Sequence, residues 1–256
     1  MPGVFFAISR ANGDAQVEKV ARRFAADLGR ASALELELRL VNSYDELFAT
    51  LRENAAILAW LPPLLYSRAA VEGLVLAGVP ERKGSLSFRA AILKRRGSPP
   101  WSLDDVVDVR VAWGDRASAS GYVFPRQRLL SAGAVFASET FHGSSGEAAR
   151  EVAAGRADLC ACVVSGAAGA GVQAAAREVL GPVADDLEVL GLTELIPPDG
   201  LAISVAAPEA VRAALLAGLL RLHETREGSA ALRDLLRADR VISAREASMR
   251  MLRPQP

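Results

Sequence analysis

Apolar residues along the chain recur with two different periods, and the alternation between them predicts the elements. Val4-Phe5-Phe6-Ala7-Ile8 is a short continuous apolar run, the pattern of a strand buried on both faces. The polar loop Ser9-Arg10-Ala11-Asn12-Gly13 follows it. From about Asp14, Val17, Val20, Ala21, Phe24 and Leu28 return on one helical face, and Gly29 closes that helix. Leu34 to Leu40 alternates with period two and reads as a strand. Ser43 and Glu46 have capping-box spacing for a helix to about Glu53. Ala55 to Trp60 is a third buried strand, and Pro62-Pro63 open a helix carrying Tyr66 early in its course. Strand, helix, strand, helix, strand predicts a parallel sheet with helices on both faces.

A second cycle starts after Gly97-Ser98-Pro99-Pro100, which breaks a strand over Ser87 to Lys94. Ser102 to Asp105 caps a short helix, and Val109 to Trp113 is a strand. It runs into Gly114-Asp115-Arg116-Ala117-Ser118-Ala119-Ser120-Gly121-Tyr122 and a helix to about Gly133. Val135 to Ser138 is a short strand. Ser144 and Glu147 then have capping-box spacing before a helix ending near Gly155. Ala157 to Val164 is a strand leading to the loop Ser165-Gly166. Leu187 to Leu192 and Leu201 to Val205 are strands on either side of Ile196-Pro197-Pro198-Asp199-Gly200. The tail is helical, with an apolar stripe of Val211, Leu215, Leu219 and Leu222 after Pro208, and a further helix over about Ala230 to Arg237. The expected class is α/β in two lobes, each a sheet flanked by helices, joined by two crossing segments. Residues 1–92 and 196–256 form one lobe and 93–195 the other.

Composition leaves this picture in place and narrows the partners. The chain has 256 residues, 51% hydrophobic and 23% charged, an ordinary globular balance. Basic and acidic residues number 30 each, and zero net charge argues against broad capture of nucleic acid or of an acidic membrane. No stretch of about 18 apolar residues occurs, so no membrane insertion is expected. The N-terminal apolar run is too short for a signal-peptide core and lacks a basic flank, which predicts a cytoplasmic protein, or a periplasmic one if a leader has been removed. Cys160 and Cys162 lie two apart on a strand and read as small buried residues, not a metal or redox pair. Neither a cofactor nor a metal site is expected.

Chemistry concentrates at strand-to-helix turns. A turn that opens a helix aims free backbone N–H groups and the positive end of the helix dipole at one spot, a seat for an anion. Ser118, Ala119, Ser120 and Gly121 make such a turn, although a serine there also serves as an ordinary helix cap. Ser9, Tyr66, Ser144, Ser145 and Ser165 fall at comparable turns, and ligands in open α/β sheets collect at the carboxyl ends of strands. Turns of this kind in both lobes predict a shared cleft for negative charge. The run at 166–171 has the wrong glycine order for a dinucleotide fingerprint.

Four segments in order carry a family likeness: Leu58-Ala-Trp-Leu-Pro-Pro-Leu-Leu-Tyr66, Val111 to Tyr122, Phe141-His-Gly-Ser-Ser145 with Gly155-Arg-Ala-Asp158, and Ile196-Pro-Pro-Asp199. Together they resemble the phosphate/phosphite/phosphonate-binding components of ABC transporters, which have the type 2 periplasmic binding protein fold. The resemblance implies an oxyanion gripped between two α/β lobes. It implies that Ser118 and Ser120 hold the anion, that Tyr66 closes on it, and that Asp199 stands where a ligand amine can be met. Asp158 is structural in this reading. Ala119 stands where the family usually has Thr, and Ser145 where a ligand-facing His is common. His142, Tyr122 and Ser165 are further candidates, His142 being either a cation turned inward or a loop histidine facing solvent.

Three functions remain open. The first is a solute-binding protein for a small phosphonate-like or other oxyanion, in transport with ABC membrane subunits or in cytoplasmic sensing. The second is a biosynthetic enzyme on the same scaffold, disfavoured by the absence of a nucleophile elbow, a P-loop and a metal-ligand cluster. The third is an interaction module that has lost its ligand.

Overall fold

The structure, a computed structural model, describes residues 3–10, 17–53, 57–98, 102–164 and 171–251. In chain order the elements begin with β1 (Val4–Ser9), α1 (Val17–Ser32), β2 (Leu36–Val41), α2 (Tyr44–Glu53), β3 (Ile57–Leu61), α3 (Pro63–Val71) and β4 (Val75–Glu81). The middle of the chain carries β5 (Arg89–Arg95), β6 (Val107–Trp113), α4 (Phe124–Ser131), β7 (Val135–Phe141), α5 (Ser145–Ala153), β8 (Leu159–Val164), α6 (Gly171–Leu180) and β9 (Leu187–Leu192). It ends in β10 (Gly200–Ile203), α7 (Glu209–Arg221), α8 (Arg226–Leu236), β11 (Arg240–Ser243) and α9 (Ala244–Met251).

Two compact units result. The first comprises Met1–Leu86 and Pro198–Pro256, the second Ser87–Pro197. The sequence reading put the first division at 92/93, which would cut β5. That strand cannot be divided, because it pairs antiparallel with β8 over Arg89 to Lys94 and with β9 on its other side. Its alternate residues also serve two cores of the second unit, Ile92 on one face and Leu93 on the other.

The first unit is built on a six-stranded sheet in the order β11-β4-β10-β3-β1-β2. β1 pairs parallel with β2 and β3, as the strand–helix alternation predicts. The sheet as a whole is mixed, because β10 returns from the other end of the chain and inserts antiparallel between β3 and β4. β4, β11 and α9 are elements that the hydrophobic pattern did not yield. Phe6, Ile8, Phe24, Leu28, Leu58, Leu215, Leu219 and Leu232 form the main core. The stripe read as Val17, Val20, Ala21, Phe24 and Leu28 thus faces the sheet, and Phe24 meets Phe6 with ring centroids 4.8 Å apart.

The second unit has a five-stranded sheet in the order β7-β6-β8-β5-β9. Period-two alternation divides its strands between two cores. Ala91, Leu93, Ala112, Cys160 and Cys162 pack with Ala148, Val152 and Val172, whereas Ile92, Val111, Trp113, Leu159 and Ala161 pack with Leu129. The two cysteines therefore share one buried face, and burial pushes the Cys160 thiol up in pKa. No helix of the described residues is long and apolar enough to cross a membrane.

Candidate functional site

In the second unit the site starts from Trp113, fully buried at the end of β6. Its ring packs edge-on against Tyr122 at 5.5 Å and Phe136 at 6.3 Å, and Tyr122 in turn meets Phe141 at 4.9 Å. Each such pair adds about 0.5–1.5 kcal/mol beyond simple burial. The indole N–H donates to Glu139 at 2.9 Å, and Arg126 grips the same carboxylate through two bonds at 2.7 and 2.9 Å. Arg126 holds the Glu139 carboxyl below the ordinary carboxylate range, opposed by burial and helped by Trp113. The ends of β6 and β7 are thereby locked side by side.

The loop on this base is closed by its own polar groups. The Asp115 carboxylate accepts the Ala117 N–H at 2.7 Å, and the Asp115 carbonyl accepts the Ser118 N–H at 3.0 Å. Ser118 caps the next turn, its Oγ accepting the Gly121 N–H at 3.0 Å. The Ser118 carbonyl accepts from both Tyr122 and Val123, at 3.1 and 3.0 Å, so residues 119–123 form a widened helical turn before α4. Such wide turns concentrate at functional sites. His142 N–H donates to Trp113 O at 3.0 Å and Gly143 N–H to Gly114 O at 3.1 Å, zipping the turn after β7 onto the turn after β6.

This zipper brings Ser145 alongside Ser118. A Cβ placed on Gly121 would lie 2.8 Å from Ser118 Oγ and 3.1 Å from Ser145 Oγ, and one on Gly114 would lie 3.3 Å from Ser145 N. Glycine at these two positions permits the approach. Ser144 caps α5 by accepting the Glu147 N–H at 3.2 Å. The hydroxyls of Ser120 and Ser145 make no hydrogen bond to the described residues. The N–H groups of Ala119, Ser120, Ser145 and Gly146 precede the first intrahelical bonds of their turns. Capping uses only a lone pair of Ser118 and Ser144, so both hydroxyl protons stay available to an acceptor. The Ser118 and Ser145 hydroxyls thus flank Gly121 beside two helical turns with unused first N–H groups, an arrangement suited to a multivalent oxyanion.

Other candidates sit differently. The Ala119 side chain is buried against Phe88, Ala90 and Ile196, leaving only its backbone for a ligand. Tyr122 belongs to the aromatic support behind the turn. The His142 ring lies 2.9 Å from Thr140 Oγ1 and is neither turned into the serine cluster nor fully in solvent. Asp158 grips Arg110 through two side-chain bonds and a backbone N–H, which fits the structural role assigned to it. Ser165 lies outside the described residues. Arg116, two residues before Ser118, was not singled out. Its guanidinium stacks 3.9 Å from the Phe141 ring centroid and makes no ion pair among the described residues.

In the first unit the corresponding chemistry surrounds β10. Because β10 lies between β3 and β4, Asp199 just ahead of it stands between Trp60 and Arg82. Arg82 donates to Asp199 through both terminal nitrogens at 2.7 and 2.8 Å, and the Trp60 indole donates to Oδ2 at 2.6 Å. Asp199, the position that the resemblance offers to a ligand amine, is thus held in an ion pair within the first unit. Tyr66 packs its ring on Gly200, where a Cβ would fall 2.3 Å from the ring. The residue is 8% exposed, and its hydroxyl is buried with no partner among the described residues. Burial pushes the phenol pKa up, and the negative charge of Asp199 adds to it. Ser9 ends β1, fully buried and engaged in an interaction of its own. Trp60 lay inside the quoted motif without a role, and Arg82 lay at the end of a strand that the pattern missed.

Among the described residues no three His, Cys, Asp or Glu side chains are grouped to hold a metal ion. Residues 6–249 match the family described as the periplasmic substrate-binding protein of phosphonate ABC transporters. A binding-protein component of an ABC phosphonate transporter from Pseudomonas aeruginosa is similar in structure, with TM-score 0.79 and 16% identity, covering 95% of this chain and 82% of that one. PhnD1 from Prochlorococcus marinus in complex with methylphosphonate gives TM-score 0.77 and 18% identity over 94% and 92% of the two chains. A Xanthomonas citri protein bound to ATP gives 0.71 and 17%, covering 97% and 93%. No curated protein matches the sequence. At these identities the structural likenesses establish the fold: mixed α/β, with two sheets flanked by helices.

Proposed function

This chain belongs to the periplasmic substrate-binding family of phosphonate ABC transporters, and from that membership we propose that the turns after β6 and β7 seat a phosphonate or closely related small oxyanion. The role is substrate binding, not catalysis. The observation that carries the assignment is the approach of the Ser118 and Ser145 hydroxyls around Gly121, among first-turn N–H groups that their own helices leave unused.

A tetrahedral oxyanion presents three oxygens, each able to accept more than one hydrogen bond. Ser118, Ser120 and Ser145 supply three hydroxyl donors, and the backbone of residues 119–120 and 145–146 supplies four more. Hydrogen bonds to a charged acceptor are the strong kind, about 1.5–3 kcal/mol each, and helix dipoles reinforce them. Ser144 keeps the α5 end in place by capping it. In transport, the loaded protein delivers its ligand to the membrane subunits of an ABC transporter.

Thermal-shift and calorimetric titration with methylphosphonate, phosphite, phosphate, sulfate and small carboxylates tests the reading. A phosphonate or phosphite that raises the melting temperature and titrates to one site is the expected result. Equal indifference to all five would overturn it.

A further inference from the structure

The donors gathered at the turns after β6 and β7 are hydroxyls and backbone N–H groups, all of them uncharged. The charged side chains of the same region are largely spent on partners. Asp115 holds its carboxylate against the Ala117 N–H, Arg126 grips Glu139, and Glu147 is paired with Arg150. Arg116 is the exception. It is exposed, it forms no ion pair among the described residues, and its guanidinium rests on the Phe141 ring, 3.9 Å from the centroid. Resting on the oxyanion reading above, we infer that Arg116 sets the charge selectivity of this seat. The protein then prefers a doubly charged tetrahedral oxyanion, of the phosphonate or phosphate class, over a singly charged one of the same shape, such as a sulfonate.

The placement follows from the turn. The Asp115 carbonyl accepts the Ser118 N–H at 3.0 Å and its carboxylate the Ala117 N–H at 2.7 Å, which fixes the backbone of Arg116 two residues ahead of the Ser118 cap. Phe141, under the guanidinium, ends β7 and leads through His142 and Gly143 into Ser144 and Ser145. The cation is thus held by its contact with the ring between the two strand ends whose turns carry the serines, and its N–H groups have no acceptor among the described residues. Its charge reaches along these strand ends. Hydrogen bonds from Arg126 are the main cause of the lowered Glu139 pKa, and the charge of Arg116 adds to them. A Coulomb interaction scales with the ligand's charge, so a dianion gains twice what a monoanion gains from the same guanidinium. Asp115 sharpens the difference. Without Arg116 that carboxylate leaves the turn net negative, and a dianion is repelled by it more than a monoanion is.

Calorimetric titration of the full chain at mildly alkaline pH compares methylphosphonate, a dianion there, with methanesulfonate, a monoanion of the same shape. Methylphosphonate is expected to bind about ten-fold tighter or more. Arg116→Gln should weaken methylphosphonate about five-fold and methanesulfonate about two-fold, whereas Arg116→Lys, which keeps the charge, should hold the natural preference. Equal or tighter binding of methanesulfonate by the natural protein overturns the inference while leaving an oxyanion site standing. A glutamine variant whose preference is unmoved does the same, and so does a lysine variant that behaves like the glutamine one. Failure of both ligands, and of phosphite and phosphate, overturns the site itself and the inference with it.

Discussion

The turns after β6 and β7 and the surroundings of β10 handle polar groups in opposite ways. In the second unit, internal hydrogen bonds shape the turns yet leave hydroxyl protons and first-turn N–H groups unspent, as at Ser120 and Ser145. Around β10 in the first unit the polar side chains are consumed by one another. Asp199, Arg82 and Trp60 close a network among themselves, and beside it the buried Tyr66 hydroxyl has no partner among the described residues. The contrast teaches that groups suited to an anion are left over in the second unit, where donors are many and uncharged. In the first, the charged groups near β10 are spent on one another.

The comparison is broken most severely at Gly121. A methyl there meets Ser118 Oγ and Ser145 Oγ, so Gly121→Ala should force the two hydroxyls apart. Methylphosphonate affinity in titration calorimetry should fall about ten- to hundred-fold, at about 1–3 kcal/mol of misplacement. Native-like affinity would show that the two serines do not act together. Ser120→Ala removes one donor without disturbing the cap, and about a ten-fold loss is expected with an unchanged melting temperature. Tyr66→Phe should leave stability unchanged or raised, because a buried hydroxyl with no partner among the described residues disappears. A lower melting temperature for that variant would mean that the hydroxyl has a structural partner.

Acid sharpens the comparison from another direction. Hydrogen bonds from Arg126 lower the pKa of Glu139, and those from Arg110 lower that of Asp158. Burial raises the pKa of Glu81 in the first unit, but Arg240 and Arg250 together bring it below its ordinary value. Carboxylates with depressed folded-state pKa values stabilise the fold above their unfolded values, and that contribution is lost as pH falls through the folded ones. Melting temperature should therefore hold near neutrality and decline as pH drops below about 4.5 toward 3. A flat profile across that window would remove these pairs from the stability of both units. The smallest effect is expected at His142, whose ring is engaged with Thr140. His142→Ala should change methylphosphonate affinity by less than about two-fold, and a larger loss would bring the histidine back into the site.

Much of the fold was legible because local signals agreed with their surroundings. The stripe through Phe24 and Leu28, the alternation of Leu159 to Val164 and the cap at Ser144 each need only neighbouring residues to be interpreted. β4 was missed because Gly78 and Pro80 interrupt its apolar run, and both are breakers in an isolated strand. In the sheet, Pro80 is paired against Val241 of β11, a partner more than a hundred residues away. Missing β4 hid Arg82, which follows directly on its last residue, and with it the partner of Asp199.

From its residues alone this chain specifies α/β units, the positions of their strand-to-helix turns and the serines placed on them, because hydrophobic period and capping chemistry are local. Whether a polar side chain at such a turn is available was settled by folding. Ser118 and Ser145 both come up against Gly121 because hydrogen bonds join the turns after β6 and β7, and Asp199 is paired with Arg82 because β10 threads between β3 and β4. Availability depends on which partner arrives first in three dimensions, and a one-dimensional pattern holds no record of distances between strands brought together from opposite ends of the chain.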